Sequence, residues 1–248
     1  MIEQSVTIPT PDGTAEGTLF VPDHDQRQRY PGVLYFTDIA GVRPANLSMA
    51  SRVAKEGFTV LVPNVFYRTS KLPVFDFPVK FGEERTTERL AELSGPLTPD
   101  AMERDAVAYI DFLAAQKGVS SSPMGVVGFC FSGSMAMRAA AARPDRIAAV
   151  ASFHGGRLCT EQPTSPHREL PRIKARLYFG HAVDDRSMPA ESIAKFEEVL
   201  KAWGGSFASE TYEGALHGWT VPGGHVYNHP QAERAFHKLA QLLNETLK

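Results

Sequence analysis

The most informative run of this sequence is Val126-Val127-Gly128-Phe129-Cys130-Phe131-Ser132-Gly133-Ser134-Met135. An apolar, strand-like segment leads into small residues and then into the helix-like residues 135–143. This order is typical of a nucleophile elbow, a sharp strand-to-helix turn that lifts its central side chain clear of a sheet. Such a turn needs small residues two positions before and two positions after its centre, and Gly128 and Ser132 meet that need. The side chain at the centre is that of Cys130.

A helix that begins directly after Cys130 would direct its backbone N–H groups at the sulfur and at any oxyanion that forms beside it. The alternative is a small core cysteine buried at a strand end, which is a common fate of an unpaired cysteine. We favour the nucleophile because the strand, the small residues and the helix occur together. Cys159 has no comparable surroundings and is interpreted as a loop cysteine without a partner.

Apolar runs around this elbow predict a three-layer α/β sandwich with a mostly parallel central sheet. Continuous apolar character is typical of strands that are buried on both faces of such a sheet. Runs of this kind cover residues 32–36, 58–62, 125–129, 147–153 and 175–179, and residues 206–212 would add a last strand. Helical spacing occurs between the runs, for example in residues 98–118 and 189–204. Residues 6–9 and 18–22 predict an N-terminal antiparallel hairpin at the sheet edge.

The chain shows no internal repeat and no linker, so we expect one domain over residues 1–248. Residues 66–96 are the exception to compactness because they are rich in Pro, Phe and charge and too long for a plain loop. We interpret them as a cap or a substrate-binding segment.

Composition excludes several classes of function. With 248 residues, 43% of them hydrophobic, and a formal net charge of -2, the chain is typical of a soluble globular protein without a field that attracts nucleic acid or anionic lipid. No apolar run approaches the roughly 20 residues of a membrane span, and the first four residues are not basic as in a signal peptide. We therefore expect a cytoplasmic monomer or homodimer. Two cysteines cannot build a disulfide framework or a four-thiolate zinc site.

An acid and a histidine follow the elbow in the chain order that a triad on this fold requires. Asp184 and Asp185 lie between a predicted strand and Pro189, and His217 follows residues 206–212. His217 would take the proton of the thiol, and an aspartate would orient the imidazole. We prefer Asp185 because it lies four residues before Pro189, while Asp184 stays open. The structural alternatives are a helix cap for either aspartate and a surface loop for the histidine.

These residues resemble the dienelactone hydrolases, a family of the α/β-hydrolase superfamily. The resemblance rests on Gly128-Phe129-Cys130-Phe131-Ser132-Gly133, on Gly180 with Asp185 and Pro189, on Tyr212-Glu213-Gly214-Ala215-Leu216-His217, and on Val62-Pro63-Asn64-Val65-Phe66. It implies the α/β-hydrolase fold and a triad of Cys130, His217 and Asp185. It also implies an oxyanion hole that is formed by the backbone N–H groups of Ile39 and Phe131.

Two departures from the family pattern concern the substrate. Family members commonly carry a glutamate near the nucleophile where this chain has Asp38, and the better-studied ones place an arginine shortly after the histidine, where residues 218–221 offer none. The resemblance therefore implies an acyl group that is more apolar or differently anchored than dienelactone. Arg68 and Arg85 are candidates for a replacement cation. Tyr67 and Trp219 are candidates for the pocket lining.

The remaining signals add no further chemistry. No histidine pair has a recognisable metal-ligand spacing, and the Gly-Gly pairs at 155–156 and 223–224 lack a phosphate-loop arrangement. We expect no metal, no cofactor and no nucleic acid. The predicted function is hydrolysis of a small-molecule carboxylic ester or lactone through a thioester acyl-enzyme. The alternatives are a protein on the same fold that binds a small hydrophobic ligand, a redox-sensing thiol, or an acyltransferase.

Overall fold

A computed structural model describes residues 1–22 and 28–248. Within these residues eight strands form one sheet. The strands are β1 (Ile2–Thr10), β2 (Gly13–Val21), β3 (Gly32–Phe36), β4 (Thr59–Pro63), β5 (Met124–Phe129), β6 (Ile147–Phe153), β7 (Arg176–His181) and β8 (Phe207–Thr211). Their order across the sheet is β1-β2-β4-β3-β5-β6-β7-β8, and the neighbours from β4 to β8 are all parallel.

The predicted edge hairpin is present and is longer than the sequence pattern indicated. β1 pairs with β2 over nine residues each, and β2 pairs antiparallel with β4. Most of the extra residues of β1 are polar and exposed, as in Glu3-Gln4-Ser5. An edge strand is held by backbone hydrogen bonds on one side, so it does not need the apolar alternation on which the prediction relied.

Helices cover both faces of the sheet and complete the predicted three-layer sandwich. They are α1 (Pro44–Lys55), α2 (Glu84–Ser94), α3 (Pro99–Ala114), α4 (Ser132–Ala142), α5 (Ala190–Trp203) and α6 (His229–Leu247). The sheet has one hydrophobic core on each face, and alternate residues of β3 point into different cores. Leu34 and Phe36 pack in the core with α3 and α4, whereas Val33 and Tyr35 pack in the core with α1 and α6. All five residues of β3 and of β4 are buried, as expected for strands with two covered faces.

Helix boundaries follow the predicted stop and start signals at several points. Thr98 caps α3 by accepting a hydrogen bond of 3.2 Å from the Ala101 N–H, and Gly204 ends α5 with a φ of 74°. The helix predicted to reach Gly118 ends earlier, at Ala114. Residues 66–96 are not loop throughout, because α2 occupies their second half.

The strand order creates a crevice at a defined place. The chain leaves β3 towards β4 on one side, whereas the connection that follows β5 leads to β6 on the other side. In open α/β sheets the carboxyl ends of strands at such a switch point form the ligand crevice. Ile39 follows β3 and Cys130 follows β5, so both lie at this crevice.

None of the helices within residues 1–22 and 28–248 combines the length and the apolar character that crossing a bilayer demands.

Candidate active site

Cys130 occupies a strained turn between β5 and α4. Its φ is 60°, in the left-handed region that residues other than glycine rarely adopt. A Cβ on Gly128 would lie 2.2 Å from the Ser132 carbonyl oxygen, so only glycine allows this turn to close. The Ser132 hydroxyl accepts a hydrogen bond of 2.8 Å from the Phe129 N–H and ties the first turn of α4 to the end of β5. The geometry is that of the predicted nucleophile elbow.

His217 and Asp185 are joined across two loops at the same edge of the sheet. His217 Nδ1 lies 2.6 Å from Asp185 Oδ2, and the Asp185 side chain is 3% exposed. The other oxygen, Oδ1, accepts hydrogen bonds from the Ser187 N–H at 2.8 Å and the Ser187 hydroxyl at 2.7 Å. Asp184 lies in a left-handed turn with a φ of 50°, and α5 begins without a side-chain cap, so neither aspartate caps that helix.

Electrostatics favour the charged forms of this pair. Burial lowers the pKa of His217, but hydrogen bonds with Asp185 and Cys130 outweigh it and raise the pKa to about 10. Burial raises the pKa of Asp185, but hydrogen bonds from His217 and Ser187 bring it below the ordinary value. The arrangement therefore holds an imidazolium beside the sulfur at neutral pH and can deliver a proton there.

Ile39 and Phe131 occupy equivalent positions after the two strands that border the crevice. Phe36 of β3 and Gly128 of β5 are paired in the parallel ladder. Ile39 and Phe131 each follow three residues after this pair, so their backbones lie on either side of the crevice. Their N–H groups are the candidates for a two-donor oxyanion hole.

His154 is a component of the site to which the sequence analysis gave no role. It follows β6, has a φ of 42° and is 1% exposed. Its Nδ1 accepts a hydrogen bond of 3.0 Å from the Cys130 N–H, and its Nε2 lies 2.8 Å from the Thr220 hydroxyl. Burial lowers its pKa to about 3, so the ring is neutral. One imidazole thus connects the backbone of Cys130 to the loop that carries His217, and the centroids of the two imidazole rings lie 5.2 Å apart.

Asp38 lies at the crevice, but both of its carboxylate oxygens are engaged. Arg43 donates to Oδ1 at 2.7 Å and to Oδ2 at 2.8 Å in a two-point ion pair. The Ala40 N–H also donates to Oδ1, and the buried Asn46 lies within 3.5 Å of Oδ2. The Asp38 carboxylate is therefore built into the wall of the site.

A cavity of about 340 Å³ opens over the sulfur. Cys130, His154 and His217 line it together with Asp38, Arg43 and Phe81. The other lining residues within the described part of the chain are Ile39, Gly218, Val221, Gly224, His225 and Val226.

Tyr67 and Arg68, which the sequence analysis named as candidates for the pocket lining and for a substrate cation, are not among the residues that line this cavity. The Tyr67 hydroxyl donates to Asp105 Oδ1 at 2.8 Å. The Arg68 guanidinium binds the Asp105 carboxylate at 2.6 Å and 2.8 Å and also pairs with Asp12. The charge of Arg68 is therefore compensated within the protein and is not directed at the cavity.

Arg85 and Trp219 are likewise engaged elsewhere. Arg85 pairs with Asp76 at 3.3 Å, and its guanidinium lies 3.8 Å above the Phe77 ring. Trp219 is fully buried and packs against His154, with ring centroids 5.0 Å apart. It thereby contacts the imidazole that accepts a hydrogen bond from the Cys130 N–H.

The second cysteine is separate from this site. Cys159 is buried in the core on the α4 side of the sheet, and burial raises the pKa of its thiol. Residues 1–22 and 28–248 contain no group of three or more His, Cys, Asp or Glu side chains placed to hold a metal ion.

Comparison with known proteins identifies the family. The model of the dienelactone hydrolase family matches residues 16–247, nearly the whole chain. The chain belongs to the dienelactone hydrolase family. It is therefore an enzyme of the carboxylic ester and lactone hydrolase type.

Individual relatives of this dienelactone hydrolase family member agree with that assignment. A protein of Synechocystis named "Putative carboxymethylenebutenolidase" is 27% identical over 98% of this chain and 96% of its own length. A carboxymethylenebutenolidase of Rhodococcus opacus is 27% identical over 82% of this chain and 75% of its own length. The dienelactone hydrolase-like promiscuous phosphotriesterase P91, from metagenomic libraries, superposes with a TM-score of 0.79 at 21% identity and full coverage of both chains. The last comparison shows that the α/β-hydrolase fold is shared.

Proposed function

We propose that this protein hydrolyses carboxylic esters or lactones with Cys130 as nucleophile, His217 as general acid and base, and Asp185 as the residue that orients His217. The hydrogen bond of 2.6 Å between His217 and the buried Asp185, in a loop that faces the Cys130 elbow, carries the proposal. This contact supports the assignment of the three residues to a catalytic triad.

In the acylation step the Cys130 thiolate attacks the carbonyl carbon and forms a C–S bond. The carbonyl electron pair moves to oxygen, which the N–H groups of Ile39 and Phe131 stabilise. When the C=O bond re-forms, the C–O bond to the alcohol breaks and His217 gives its Nε2 proton to the departing alkoxide. A thioester on Cys130 remains.

In the deacylation step His217 takes a proton from water, and the resulting hydroxide attacks the thioester carbonyl. The C–S bond breaks, a carboxylic acid leaves, and the Cys130 thiolate and the His217 imidazolium are restored. In a lactone the alcohol stays tethered to the acyl group, so water must compete with ring closure.

We further propose that residues 1–248 form one domain in which residues 66–96 act as a cap. Leu93 of α2 and Phe66 at the start of this segment pack fully buried in the core on the α3 and α4 side of the sheet. The segment between them supplies Phe81 to the wall of the catalytic cavity.

The first test is incubation with p-nitrophenyl acetate, followed by release of p-nitrophenol together with intact mass. We expect a burst and an acetyl adduct on the Cys130 peptide, both blocked by prior treatment with iodoacetamide. Folded protein that shows neither release nor adduct would contradict the proposal and favour a ligand-binding or redox-sensing thiol. Transfer of the acetyl group to an added alcohol, but not to water, would identify an acyltransferase.

Variants then assign the individual roles. Cys130→Ala should abolish turnover with the fold intact, and His217→Ala should lower kcat/KM by orders of magnitude. Asp185→Asn should lower kcat by about 10²-fold or more because the imidazole loses its orienting partner. Asp184→Asn is the matched control, and its kcat should stay within about threefold of the wild type. A larger loss in Asp184→Asn than in Asp185→Asn would reverse the assignment.

A further inference from the structure

A groove continues from the catalytic cavity along residues 73–81. Its volume is about 840 Å³, against about 340 Å³ for the cavity over Cys130. The two spaces share Arg43, Phe81, Gly224 and His225 in their linings, so they adjoin each other. A molecule that presents a carbonyl to Cys130 can therefore extend into the groove without leaving the protein surface.

Most of the residues that line the groove have apolar side chains, and Arg43, Lys80 and His225 add polar groups. Its apolar lining includes Val74, Phe75, Phe77, Val79, Phe81 and Pro222. Phe75 and Phe77 pack edge to face with centroids 5.5 Å apart, and the Arg85 guanidinium covers a face of the Phe77 ring. Val74 is anchored through its carbonyl, which accepts a hydrogen bond of 3.0 Å from Arg89. The wall is thus held in place by contacts with α2.

Phe81 is the most unusual residue of this wall. Its side chain belongs to both linings, yet the residue is 63% exposed. The Phe81 ring lies where the two spaces adjoin. In the unliganded protein most of its apolar surface is therefore in contact with water. An apolar ligand chain that passes the junction would bury this surface, and burial of apolar surface stabilises a complex.

The cations that border the groove do not make it an anion site. The Arg43 charge is compensated by the two-point ion pair with Asp38. Lys80 lies on the rim, 68% exposed, with Glu83 as its partner at 3.2 Å. A neutral apolar chain fits these surroundings better than a carboxylate does.

We infer that the enzyme acts on neutral esters or lactones with an extended apolar chain, and that the groove from Val74 to Phe81 binds this chain. The inference rests on the proposed function, because the groove is a substrate site only if Cys130 is the nucleophile. It adds the chemical class of the substrate. Each methylene group that becomes fully buried in the groove should strengthen the binding constant of the substrate by about fourfold.

The test is a chain-length series with a constant leaving group, from p-nitrophenyl acetate to p-nitrophenyl octanoate. We expect kcat/KM to rise by at least about tenfold along the series, because even partial burial of the chain accumulates over several methylenes. A parallel series of alkyl acetates, assayed by acid release, reports whether the alcohol side occupies the groove. A rise in either series supports the inference.

Variants of the groove wall make the test specific. Phe81→Ala removes the ring where the two spaces adjoin and should lower the octanoate-to-acetate ratio of kcat/KM by about fivefold. If the alkyl acetates are the series in which kcat/KM rises, the ratio of the longest to the shortest alkyl acetate should fall by the same factor. Val79→Asp places a charge in the groove and should lower the ratio further. Ile2→Ala is the control, since Ile2 is 47% exposed on β1, and it should leave the ratio unchanged.

Failure of this inference is distinguishable from failure of the proposed function. The inference is wrong if acetate esters are hydrolysed but kcat/KM does not change with chain length in either series. It is also wrong if Phe81→Ala and Val79→Asp both keep the wild-type ratio of kcat/KM. A preference for the monosuccinate ester over the neutral butyrate ester would also overturn it. If no ester reacts and Cys130 takes up no acyl group, the proposed function itself fails.

Discussion

The protonation of His217 predicts a specific pH dependence of the reaction. Its pKa of about 10 lies above the ordinary value of 6.5, because hydrogen bonds with Asp185 and Cys130 outweigh burial. The proton that the departing alkoxide needs is therefore present at neutral pH and is lost as the pH rises through about 10. We expect kcat/KM for an ethyl ester to fall over this range.

A p-nitrophenyl ester provides the internal control for this prediction. Its leaving group is a much weaker base and depends less on the proton, so its rate should fall less steeply over the same pH range. Asp185→Asn should move the alkaline limb of the ethyl ester profile to lower pH. Identical limbs for both esters would contradict a general acid role of His217.

The raised pKa of His217 also makes the free energy of unfolding depend on pH. This stabilisation decreases as the pH rises, whereas the stabilisation from a carboxylate with a lowered pKa decreases as the pH falls. The folded protein binds the His217 proton more tightly than the unfolded chain does, so this group stabilises the fold fully below pH 6.5. The stabilisation is lost as the pH rises through about 10. Chemical denaturation at pH 7 and pH 10 should show this loss in the wild type, and His217→Gln should remove that component of the change.

His154 is expected to act by positioning Cys130 rather than by reacting. Replacement by Phe keeps an aromatic ring but removes the Nδ1 acceptor of the Cys130 N–H, which then retains only its 3.1 Å contact with the Phe153 carbonyl oxygen. We expect kcat to fall by about 10-fold with little change in KM. His154→Asn should recover part of the loss because asparagine tolerates a positive φ and offers an acceptor oxygen. Equal losses in both variants, with a matching loss of stability, would indicate a purely structural residue.

The elbow depends on a close approach that only glycine permits. Gly128→Ala would place a methyl carbon 2.2 Å from the Ser132 carbonyl oxygen, and no flexible side chain is available to move aside. We expect a loss of unfolding free energy of about 1–3 kcal/mol or more, together with loss of Cys130 acylation. Gly95→Ala is the control, because Gly95 has helical angles and its added carbon would lie 3.3 Å from the Ala91 carbonyl oxygen. Denaturant midpoints and adduct mass measure both effects.

Features that depend on residues close together in the chain could be predicted from the sequence. The elbow, the buried strands and the order of nucleophile, acid and histidine depend on neighbouring residues or on topology. The choice of Asp185 over Asp184 also agrees with the geometry, since only Asp185 is hydrogen bonded to His217. β1 was predicted too short because an edge strand needs no apolar alternation.

The pocket lining could not be predicted, because it depends on pairings between distant residues. Arg68 was proposed as a substrate cation, but its partner Asp105 lies 37 positions later in the chain. The Asp38–Arg43 pair spans only five positions and was open to recognition from the spacing alone. His154 had a visible signal as well, since it directly follows a buried strand at the active edge.

At the scale of the whole molecule, Asp105 joins the segment 66–96 to the body of the protein. Its fully buried carboxylate on α3 binds both Arg68 and Tyr67. Asp105→Leu would leave the Arg68 guanidinium, 13% exposed, without its main counter-charge. We expect a loss of about 3–5 kcal/mol of unfolding free energy, measured by urea denaturation.

A second aspartate on the same helix provides the comparison. Asp111 pairs with Arg143 at 2.5 Å, but its side chain is 56% exposed. Asp111→Leu should cost less than about 1 kcal/mol because water solvates both charges. Equal effects of the two substitutions would show that Asp105 does not connect the two parts of the chain.

The contrast between the two cysteines has a practical consequence. Cys159 is 5% exposed, whereas Cys130 is partly exposed and lines an open cavity. A small alkylating reagent added to the native protein should therefore react with one thiol per chain. The stoichiometry of labelling would then count the functional centres in a preparation, so turnover numbers can be expressed per competent molecule instead of per milligram of protein.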